Sequence, residues 1–409
     1  MAFLSLLDDR ARPKGSRDPL GFELIWSYFG RRVIGNLTTI TSSMDNFAVA
    51  ILGFYWANQI VEFNPDESVR QKKIREFFLR YEQLTGYIRY YGNASDIMGI
   101  TRIKSRILEE KNNLTLGMSA DEQILSDQAS YGLWGLYSTA ARDTKLVMGS
   151  ERKVTELGER IAASIINQLG TASDQLLSML NSEKVLDRQT LQSLGNTFIR
   201  AIHHSSVQES LLEALMSGGD VKGVQNELWN ITRNIKSQIK EQETVPGFLN
   251  MILEKESSDQ LRSFITDIQN IERLLVALNN IFHYCRRKDG EKLDVLLKEL
   301  NDRYSYSHLP DMLPELDFPR RDRLSHILDA IRANDNSQVI NSLLSLNKEV
   351  MQQRSGAPWV ELEAGKTLRV KVKSETSELR SQEDIENKWD YDYFLGSFLN
   401  IAKLQLGQA

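Results

Sequence analysis

Residues Ser258 to Cys285 read SDQLRSFITDIQNIERLLVALNNIFHYC. Their apolar side chains recur every three or four positions, which places them on one face of an α-helix. The stripe consists of Leu261, Phe264, Ile265, Ile268, Ile271, Leu274, Leu275, Leu278 and Ile281. A stripe of this length is typical of a helical bundle or a coiled-coil-like seam. The same spacing dominates the chain before residue 359, so the sequence predicts a mainly α fold.

Length and composition set the broad class of the protein. The chain has 409 residues, enough for two or three domains, and a net charge of −5 that would not draw it to DNA or anionic lipid as a whole. Cys285 is the only cysteine, so an internal disulfide is impossible and a reducing compartment is favoured. The first 15 residues, MAFLSLLDDRARPKG, do not resemble a secretory signal. We therefore expect a cytoplasmic protein.

Several helix starts are marked by capping residues. Asp18 and Pro19 precede LGFELIWSYFGRRVI, and the run Asn64 to Glu67 precedes a pattern that continues to Tyr91 and stops at Gly92. Ser119 with Glu122 repeats the capping box before a segment that reaches Arg142. These signals predict helices that begin close to residues 19, 66 and 120.

A proline-rich segment suggests the main domain boundary. SHLPDMLPELDFPRR, from Ser307 to Arg321, contains three prolines, which cannot continue a helix. We predict a compact helical domain over residues 1–150, a helical bundle over 151–306, and a small C-terminal module over 320–409.

The C-terminal module contains the one clear strand pattern. Residues Trp359 to Lys373, WVELEAGKTLRVKVK, alternate apolar and polar positions around a single Ala-Gly, which predicts a β-hairpin. Two short helical segments precede it, and an amphipathic segment, YFLGSFLNIAKLQL, closes the chain. Two helices followed by a hairpin predict a winged-helix-like module with a terminal helix that packs back on the body.

The hairpin and the helix before it carry candidate nucleic-acid contacts. A row of cations on a wing suits a phosphate backbone. The candidates are Lys366, Arg369, Lys371 and Lys373 on the hairpin, with Lys348 and Arg354 on the preceding helix. Glu361 and Glu363 face the same side, however, and cross-strand ion pairs would neutralise part of that charge. The hairpin is therefore either a DNA contact or a structural and docking element.

A second basic tract runs from Arg70 to Arg106, where arginines and lysines alternate with tyrosines. Cations beside aromatic rings are found on single-stranded nucleic-acid surfaces. The structural alternative is a helix with an aromatic core face and a charged solvent face, and the helical spacing favours this alternative.

The most apolar stretch is FAVAILGFYWA, Phe47 to Ala57. It is too short to span a bilayer, which takes about 20 residues. We predict a helix buried on nearly all sides, with a membrane-inserting segment as the alternative.

No catalytic motif is visible in the sequence. The chain lacks a phosphate-binding GxxxxGK[ST] loop, a dinucleotide fingerprint, a GxSxG elbow and an HExxH helix. His203 and His204 are adjacent and would point about 100° apart on a helix, so they are poorly placed to share a metal ion. We expect no enzymatic activity, no cofactor and no metal site.

Two N-terminal stretches resemble known proteins. They are GNLTTITSSMDNFAVAILGFYWA, Gly35 to Ala57, and QILSDQASYGLWGLYSTAARDTKLV, Gln123 to Val147. Because glycine weakens a helix, the paired glycines suggest close packing of another backbone or of a partner. The candidate partner-binding residues are Gly132, Trp134, Gly135 and Tyr137. Over roughly the first 150 residues, these stretches are similar to uncharacterised helical subunits of bacterial multi-gene anti-phage defence systems.

The resemblance implies a subunit that works beside a separately encoded ATPase or nuclease. The sequence as a whole favours a non-enzymatic adaptor whose partners are protein subunits of a larger complex. Two alternatives are a DNA-binding module that uses the wing and a membrane-acting effector that uses residues 47–57.

Overall fold

The computed structural model describes residues 18–61, 65–109, 113–182, 185–220, 222–303, 306–374, 379–380, 384–385 and 388–407. Asn64, the first residue of one predicted cap, and the N-terminal 15 residues lie outside these ranges. Most of the described chain is helical, which confirms the mainly α prediction.

The helices, in chain order, are α1 (Glu23–Arg31), α2 (Met44–Ile60), α3 (Glu67–Tyr91), α4 (Ile100–Leu108), α5 (Gln128–Tyr131), α6 (Leu133–Asp143), α7 (Glu156–Leu169), α8 (Thr171–Ser182), α9 (Arg188–Ile202), α10 (Ser205–Ser217), α11 (Val224–Asn234), α12 (Val245–Leu253), α13 (Asp259–Cys285), α14 (Leu293–Arg303), α15 (Arg321–Arg332), α16 (Asn336–Gln353) and α17 (Leu395–Leu406). The strands are β1 (Leu114–Thr115), β2 (Val147–Met148), β3 (Lys153–Val154), β4 (Val185–Leu186), β5 (Val360–Glu363) and β6 (Thr367–Val370). They pair antiparallel as β1–β4, β2–β3 and β5–β6.

The first two predicted helix starts have different outcomes in the structure. Asp18 Oδ1 accepts a hydrogen bond from Phe22 N at 2.7 Å in the turn before α1, but α1 begins later than predicted, at Glu23, and its N-cap residue Phe22 makes no side-chain capping bond. Asp66 is the N-cap of α3 and accepts from Ser68 N, and α3 ends at Tyr91 as predicted.

The third predicted helix start is different in the structure. Ser119 and Glu122 form a turn in which Ser119 N donates to Glu122 Oε2 at 3.0 Å. The first helix after this turn is α5, capped by Asp127, and Gly132 separates α5 from α6. The capping-box pattern is satisfied locally here without starting a helix.

The chain folds into two compact units, and each is discontinuous in sequence. Unit 1 takes its described residues from Met1–Val33 and Thr244–Tyr393, and unit 2 takes its own from Ile34–Glu243 and Phe394–Ala409. These units do not correspond to the three consecutive domains predicted. Residue 150, for example, lies in the turn between β2 and β3, whose pairing (Val147↔Val154) joins both sides of the predicted boundary.

Helix α2 forms the centre of unit 2. Twelve of its residues, including every position from Asn46 to Phe54, are buried, and it packs against α3, α6, α7 and α10. The apolar stretch Phe47 to Ala57 is therefore core, as predicted for a helix buried on nearly all sides. Among the described residues, no helix is long and apolar enough to cross a membrane.

Helices α3 and α9 approach each other through two glycines. A Cβ atom added to Gly195 of α9 would lie 2.7 Å from the backbone nitrogen of Gly92, which caps α3. A Cβ added to Gly92 would lie 2.8 Å from the carbonyl oxygen of Gly195. Only glycine fits at both positions, because the two backbones are in direct contact.

The terminal helix α17 also belongs to unit 2. Ser397 Oγ donates to the carbonyl oxygen of Thr38 at 2.6 Å, and Lys403 Nζ donates to that of Glu243 at 2.6 Å. Phe398 packs edge-on against Trp229. The terminal amphipathic segment therefore does pack back on the body, although not within the unit that holds the hairpin.

Helix α13 is the central helix of unit 1. The predicted apolar stripe is buried from Leu261 to Ile281, except that Phe264 is half-buried beneath the guanidinium of Arg32, at 3.9 Å from its ring centroid. Helices α1, α12 and α16 pack against it.

Candidate functional site

The β5–β6 hairpin forms as predicted, with Glu361 opposite Arg369 in its register. Leu368 and Val370 face the core, whereas Arg369 faces solvent. The side chain of Arg369 forms an ion pair with Glu363 at 3.1 Å. The predicted alternation and the expected cross-strand neutralisation are both present.

Two further cations of the hairpin strand are neutralised as well. Lys371 Nζ lies 2.7 Å from Glu361 Oε2, and Lys373 Nζ lies 3.0 Å from Asp289 Oδ2. Asp289 is a partner that the hairpin sequence alone could not reveal, because it lies 84 positions before Lys373. Hydrogen bonds from Val370 N and Lys373 hold the pKa of Asp289 below its usual range.

The remaining predicted cations differ in their surroundings. Arg354 donates to the carbonyl oxygen of Asp18 at 2.6 Å, so it holds the start of unit 1 against the end of α16. Lys348 and Lys366 are exposed, and neither forms an ion pair with a residue that the structure describes. Of the six predicted cations, these two remain available to a ligand.

A third short segment extends the hairpin. Gly290 N donates to the carbonyl oxygen of Leu368 at 2.8 Å, and Leu293 N donates to that of Lys366 at 2.8 Å. Lys292 forms an antiparallel bridge with Thr367. Residues 290–293, just before α14, therefore lie beside β6 on the side away from β5.

The outward face of α16 is polar and nearly uncharged. The exposed residues Gln338, Asn341, Ser345, Lys348 and Gln352 follow a spacing of three and four positions. Towards α15 this face borders a cleft of about 570 Å³ that Arg323 and His326 also line. We call the exposed residues Gln338, Asn341, Ser345, Lys348 and Gln352 the α16 face.

Lys348 is the only residue of the α16 face that the sequence predicted as a contact. The other polar residues of α16 fall into two sets, since Gln338 and Asn341 are exposed whereas Asn336 and Asn347 are buried. Asn347 Nδ2 donates to the carbonyl oxygen of Pro19 at 2.9 Å, and its Oδ1 accepts from Trp359 N at 2.8 Å. A helical-wheel comparison with the buried apolar positions of α16 would have separated the two sets.

The predicted partner-binding glycines lie inside unit 2. A Cβ atom on Gly132 would lie 2.6 Å from Glu82 Oε1, and one on Gly135 would lie 2.1 Å from the carbonyl oxygen of Ser130. Glu82 Oε1 accepts from Leu133 N at 2.6 Å, and burial raises the pKa of this carboxyl to about 7. The glycines therefore serve close packing within this chain, which was one of the two options their pattern suggested.

The two aromatic residues of the same motif are buried. Trp134 packs against Phe54 and Phe78, and the hydroxyl of Tyr137 accepts from Asn46 Nδ2 at 3.2 Å. Burial raises the pKa of Tyr137 to about 12. Neither side chain is placed to contact a partner through an exposed face.

Much of the basic tract is structural. Arg89 is buried and donates to Asn46 Oδ1 at 2.8 Å, while Arg102 and Arg106 donate to backbone carbonyl oxygens, both reaching that of Gln123 at 2.9 Å. These arginines hold loops in place, which is a structural role, although the predicted charged solvent face does not describe Arg89 because that residue is buried.

The adjacent residues His203 and His204 have different structural roles. His203 forms an ion pair with Asp45 at 2.9 Å, and the hydrogen bond to Asp45 raises the pKa of the imidazole. His204 is the N-cap of α10. Burial raises the pKa of Cys285 to about 12, which disfavours the thiolate. Within the described ranges, no three His, Cys, Asp or Glu side chains lie close enough to hold a metal ion.

Comparison with known proteins adds no relative. No family model, curated protein or solved structure matches this chain. Inference about function therefore starts from the geometry of the two units.

Proposed function

We propose that the chain is a non-catalytic subunit of a larger protein assembly, and that unit 1 docks a protein partner through the α16 face. One observation carries this proposal. The α16 face presents three amides, one hydroxyl and a single cation, while three cations of the neighbouring hairpin are already neutralised.

The arrangement around α16 supports a winged-helix-like module. Helices α15 and α16 are followed by the β5–β6 hairpin, and residues 290–293 add a third segment beside β6. In winged helices, the helix before the wing is the usual contact element. We propose that α16 has this position and that the hairpin is its wing.

The charges favour a protein partner over a duplex. DNA-binding surfaces derive most of their affinity from unpaired lysines and arginines facing phosphates. Protein interfaces instead carry about one hydrogen bond per 100–200 Å² and few charged residues at their centre. With three amides, one hydroxyl and one cation, the α16 face is closer to the second description.

The biological setting that we propose follows the N-terminal resemblance. It is a bacterial anti-phage defence assembly in which a separately encoded ATPase or nuclease supplies the catalysis. This setting can be tested apart from the docking surface, by asking which proteins are recovered with the chain from its native host.

The docking surface is tested by adding charge to it. The double variant Asn341→Arg/Ser345→Arg places two cations on exposed positions and should not perturb the core. We expect partner proteins captured from nuclease-treated native extract to fall at least about tenfold, because two unpaired charges would be desolvated at the interface. Quantitative mass spectrometry of the captured proteins gives the measurement.

A matched control is Ser263→Arg, on an exposed position of α13 in the same unit, which should leave capture unchanged. Equal recovery of partners with the double variant would show that the α16 face is not the docking surface. A hydrolase or nuclease activity of the purified chain that one acidic substitution abolishes would refute the non-catalytic proposal.

The second candidate function is duplex DNA binding, favoured by the exposed Lys348 and Lys366. Under this hypothesis Asn341→Arg/Ser345→Arg would strengthen binding, the opposite of its effect on a protein partner. Lys366→Gln should weaken binding and lower the salt slope by about 1. Arg369→Gln/Glu363→Gln, which removes an ion pair without changing net charge, should leave the slope unchanged. Fluorescence anisotropy across a salt series measures both.

A further inference from the structure

The turn between β2 and β3, residues 149–152, is held firmly against α3 of unit 2. Gln71 Nε2 donates to Ser150 Oγ at 2.9 Å. Arg70 forms an ion pair with Glu151, so the acidic side chain of the turn is already neutralised. The turn is thereby fixed to the first turns of a long helix.

The last residue of this turn is fixed to α6. Arg152 has a φ of 54°, a left-handed conformation that is uncommon for a residue with a side chain. Its guanidinium lies 3.7 Å from the ring centroid of Trp134, and its Nε donates to Ser138 Oγ at 2.5 Å. An unfavourable backbone conformation that the surroundings hold in place is common at binding sites.

Arg152 is surrounded by further positive charge. Burial, followed by repulsion from Arg142 and Arg75, lowers its pKa to about 10. Arg75 and Arg142 are exposed, and their side chains form no hydrogen bond or ion pair with any residue in the described part of the chain. Arg152 therefore lies in the repulsive field of two other guanidinium groups.

Arg152 and Arg75 border a cleft of about 280 Å³, whose lining does not include Arg142. Its lining consists of Ser68, Gln71, Lys72, Arg75, Trp134, Ser150, Glu151 and Arg152. Two hydroxyl groups accompany the cations, and such a mixture of donors binds phosphate oxygens, whereas the Gln71 amide already donates to Glu67 and Ser150. We call this the arginine cleft.

We infer that the arginine cleft binds a phosphate monoester group. An anion with several acceptor oxygens would relieve the repulsion on Arg152, pair with Arg75 and Lys72 in the lining, and accept from the hydroxyl donors. The cleft is small, and Trp134 is only 8% exposed beneath Arg152, so no aromatic face is open for a stacked base. The site therefore recognises a phosphate group rather than a nucleobase, and it is independent of docking through α16.

The test compares the wild type with Arg75→Gln. Each protein is melted in inorganic phosphate and in chloride at equal ionic strength. We expect the Tm of the wild type to be higher in phosphate than in chloride, and this difference to be much smaller in the variant. Phosphate also stabilises proteins without a site, and Arg75→Gln measures that background. Without phosphate, the variant should be as stable as the wild type or more so, because only repulsion is removed.

Binding itself is measured by calorimetry with inorganic phosphate. We expect affinity to fall at least about tenfold in Arg75→Gln and, separately, in Lys72→Gln, which removes the other exposed cation of the lining. The control is Arg160→Gln, on the exposed side of α7, which should bind phosphate as the wild type does. Equal phosphate responses in the wild type and in both cleft variants would overturn the proposal.

Oligonucleotides distinguish the two sources of such a group. A single-stranded oligonucleotide with a 5′-phosphate that binds at least tenfold more tightly than its 5′-hydroxyl counterpart would identify a nucleic-acid end. Phosphate binding without this preference would identify a small phosphorylated molecule. Tight binding of both oligonucleotides, unchanged in Arg75→Gln, would contradict a site for a single phosphate group.

Discussion

Gly195→Ala is expected to destabilise unit 2 by about 3 kcal/mol, near the upper end of the usual cost of overpacking. The added Cβ would lie 2.7 Å from the nitrogen of Gly92 and 2.8 Å from the carbonyl carbon of Tyr91. These are backbone atoms of the α3 end, so no side chain can rotate away to make room. Urea unfolding followed by circular dichroism measures the loss.

Gly35→Ala is the matched control in the same unit. The nearest atom to its added Cβ is Gln225 Oε1 at 4.0 Å, so the substitution should change stability by less than about 1 kcal/mol. Equal stability of Gly195→Ala and the wild type would mean that α3 and α9 are not in backbone contact.

Glu272→Gln should remove a pH dependence from the stability of unit 1. Glu272 of α13 is buried, and its carboxylate accepts from Tyr391 N at 3.1 Å and from the hydroxyl of Tyr393 at 2.8 Å. Burial is the largest effect on this group and raises its pKa from 4.5 to about 7. The folded state therefore binds a proton more tightly than the unfolded state does.

The sign of the effect follows from this difference. The stabilising contribution of the protonated carboxyl is complete below pH 4.5 and is lost as the pH rises to about 7. Its full size is about 3 kcal/mol. Glutamine is neutral throughout this range and keeps an oxygen for the backbone donors, while the Tyr393 hydroxyl can turn to accept from the new amide.

Urea unfolding at pH 4 and pH 8 provides the measurement. We expect Glu272→Gln to match the wild type at pH 4 and to exceed it at pH 8. Glu82 of unit 2 also has a raised pKa, but it is present in both proteins, so its contribution to the pH dependence of stability cancels when the two are compared. Glu256→Gln, an exposed carboxyl in unit 1, is the control. The same loss of stability between the two pH values in both proteins would exclude a raised pKa for Glu272.

Local sequence signals predicted the elements of this fold well. Examples are the apolar stripe of α13, the limits of α3 and the β5–β6 hairpin. Each of these depends on residue spacing or on capping residues that are close together in the sequence. The division into two units could not be predicted in this way, because it depends on contacts such as Asn347 with Pro19 that join distant parts of the chain.

The candidate sites show the same limit. Pairing of Arg369 with Glu363 could be foreseen from strand alternation, whereas pairing of Lys373 with Asp289 could not. The arginine cleft joins Arg75 of the basic tract to Trp134 of the glycine-rich motif, two signals that the sequence presents separately. No motif in the sequence pointed to Arg152, because its position in the cleft depends on the backbone conformation of the turn between β2 and β3.

The order of segments in unit 1 has a consequence for synthesis on the ribosome. Helix α1, with its buried Ile25 and Phe29, packs against α13, which begins at Asp259. At ordinary translation rates, roughly 10 to 45 s pass between the synthesis of these two helices. During that interval the apolar face of α1 has no native partner in its own unit, while α2 to α11 are being made. We therefore expect the apolar face of α1 to be exposed on the nascent chain while the residues between α1 and α13 are made, and to be a binding site for chaperones during that interval.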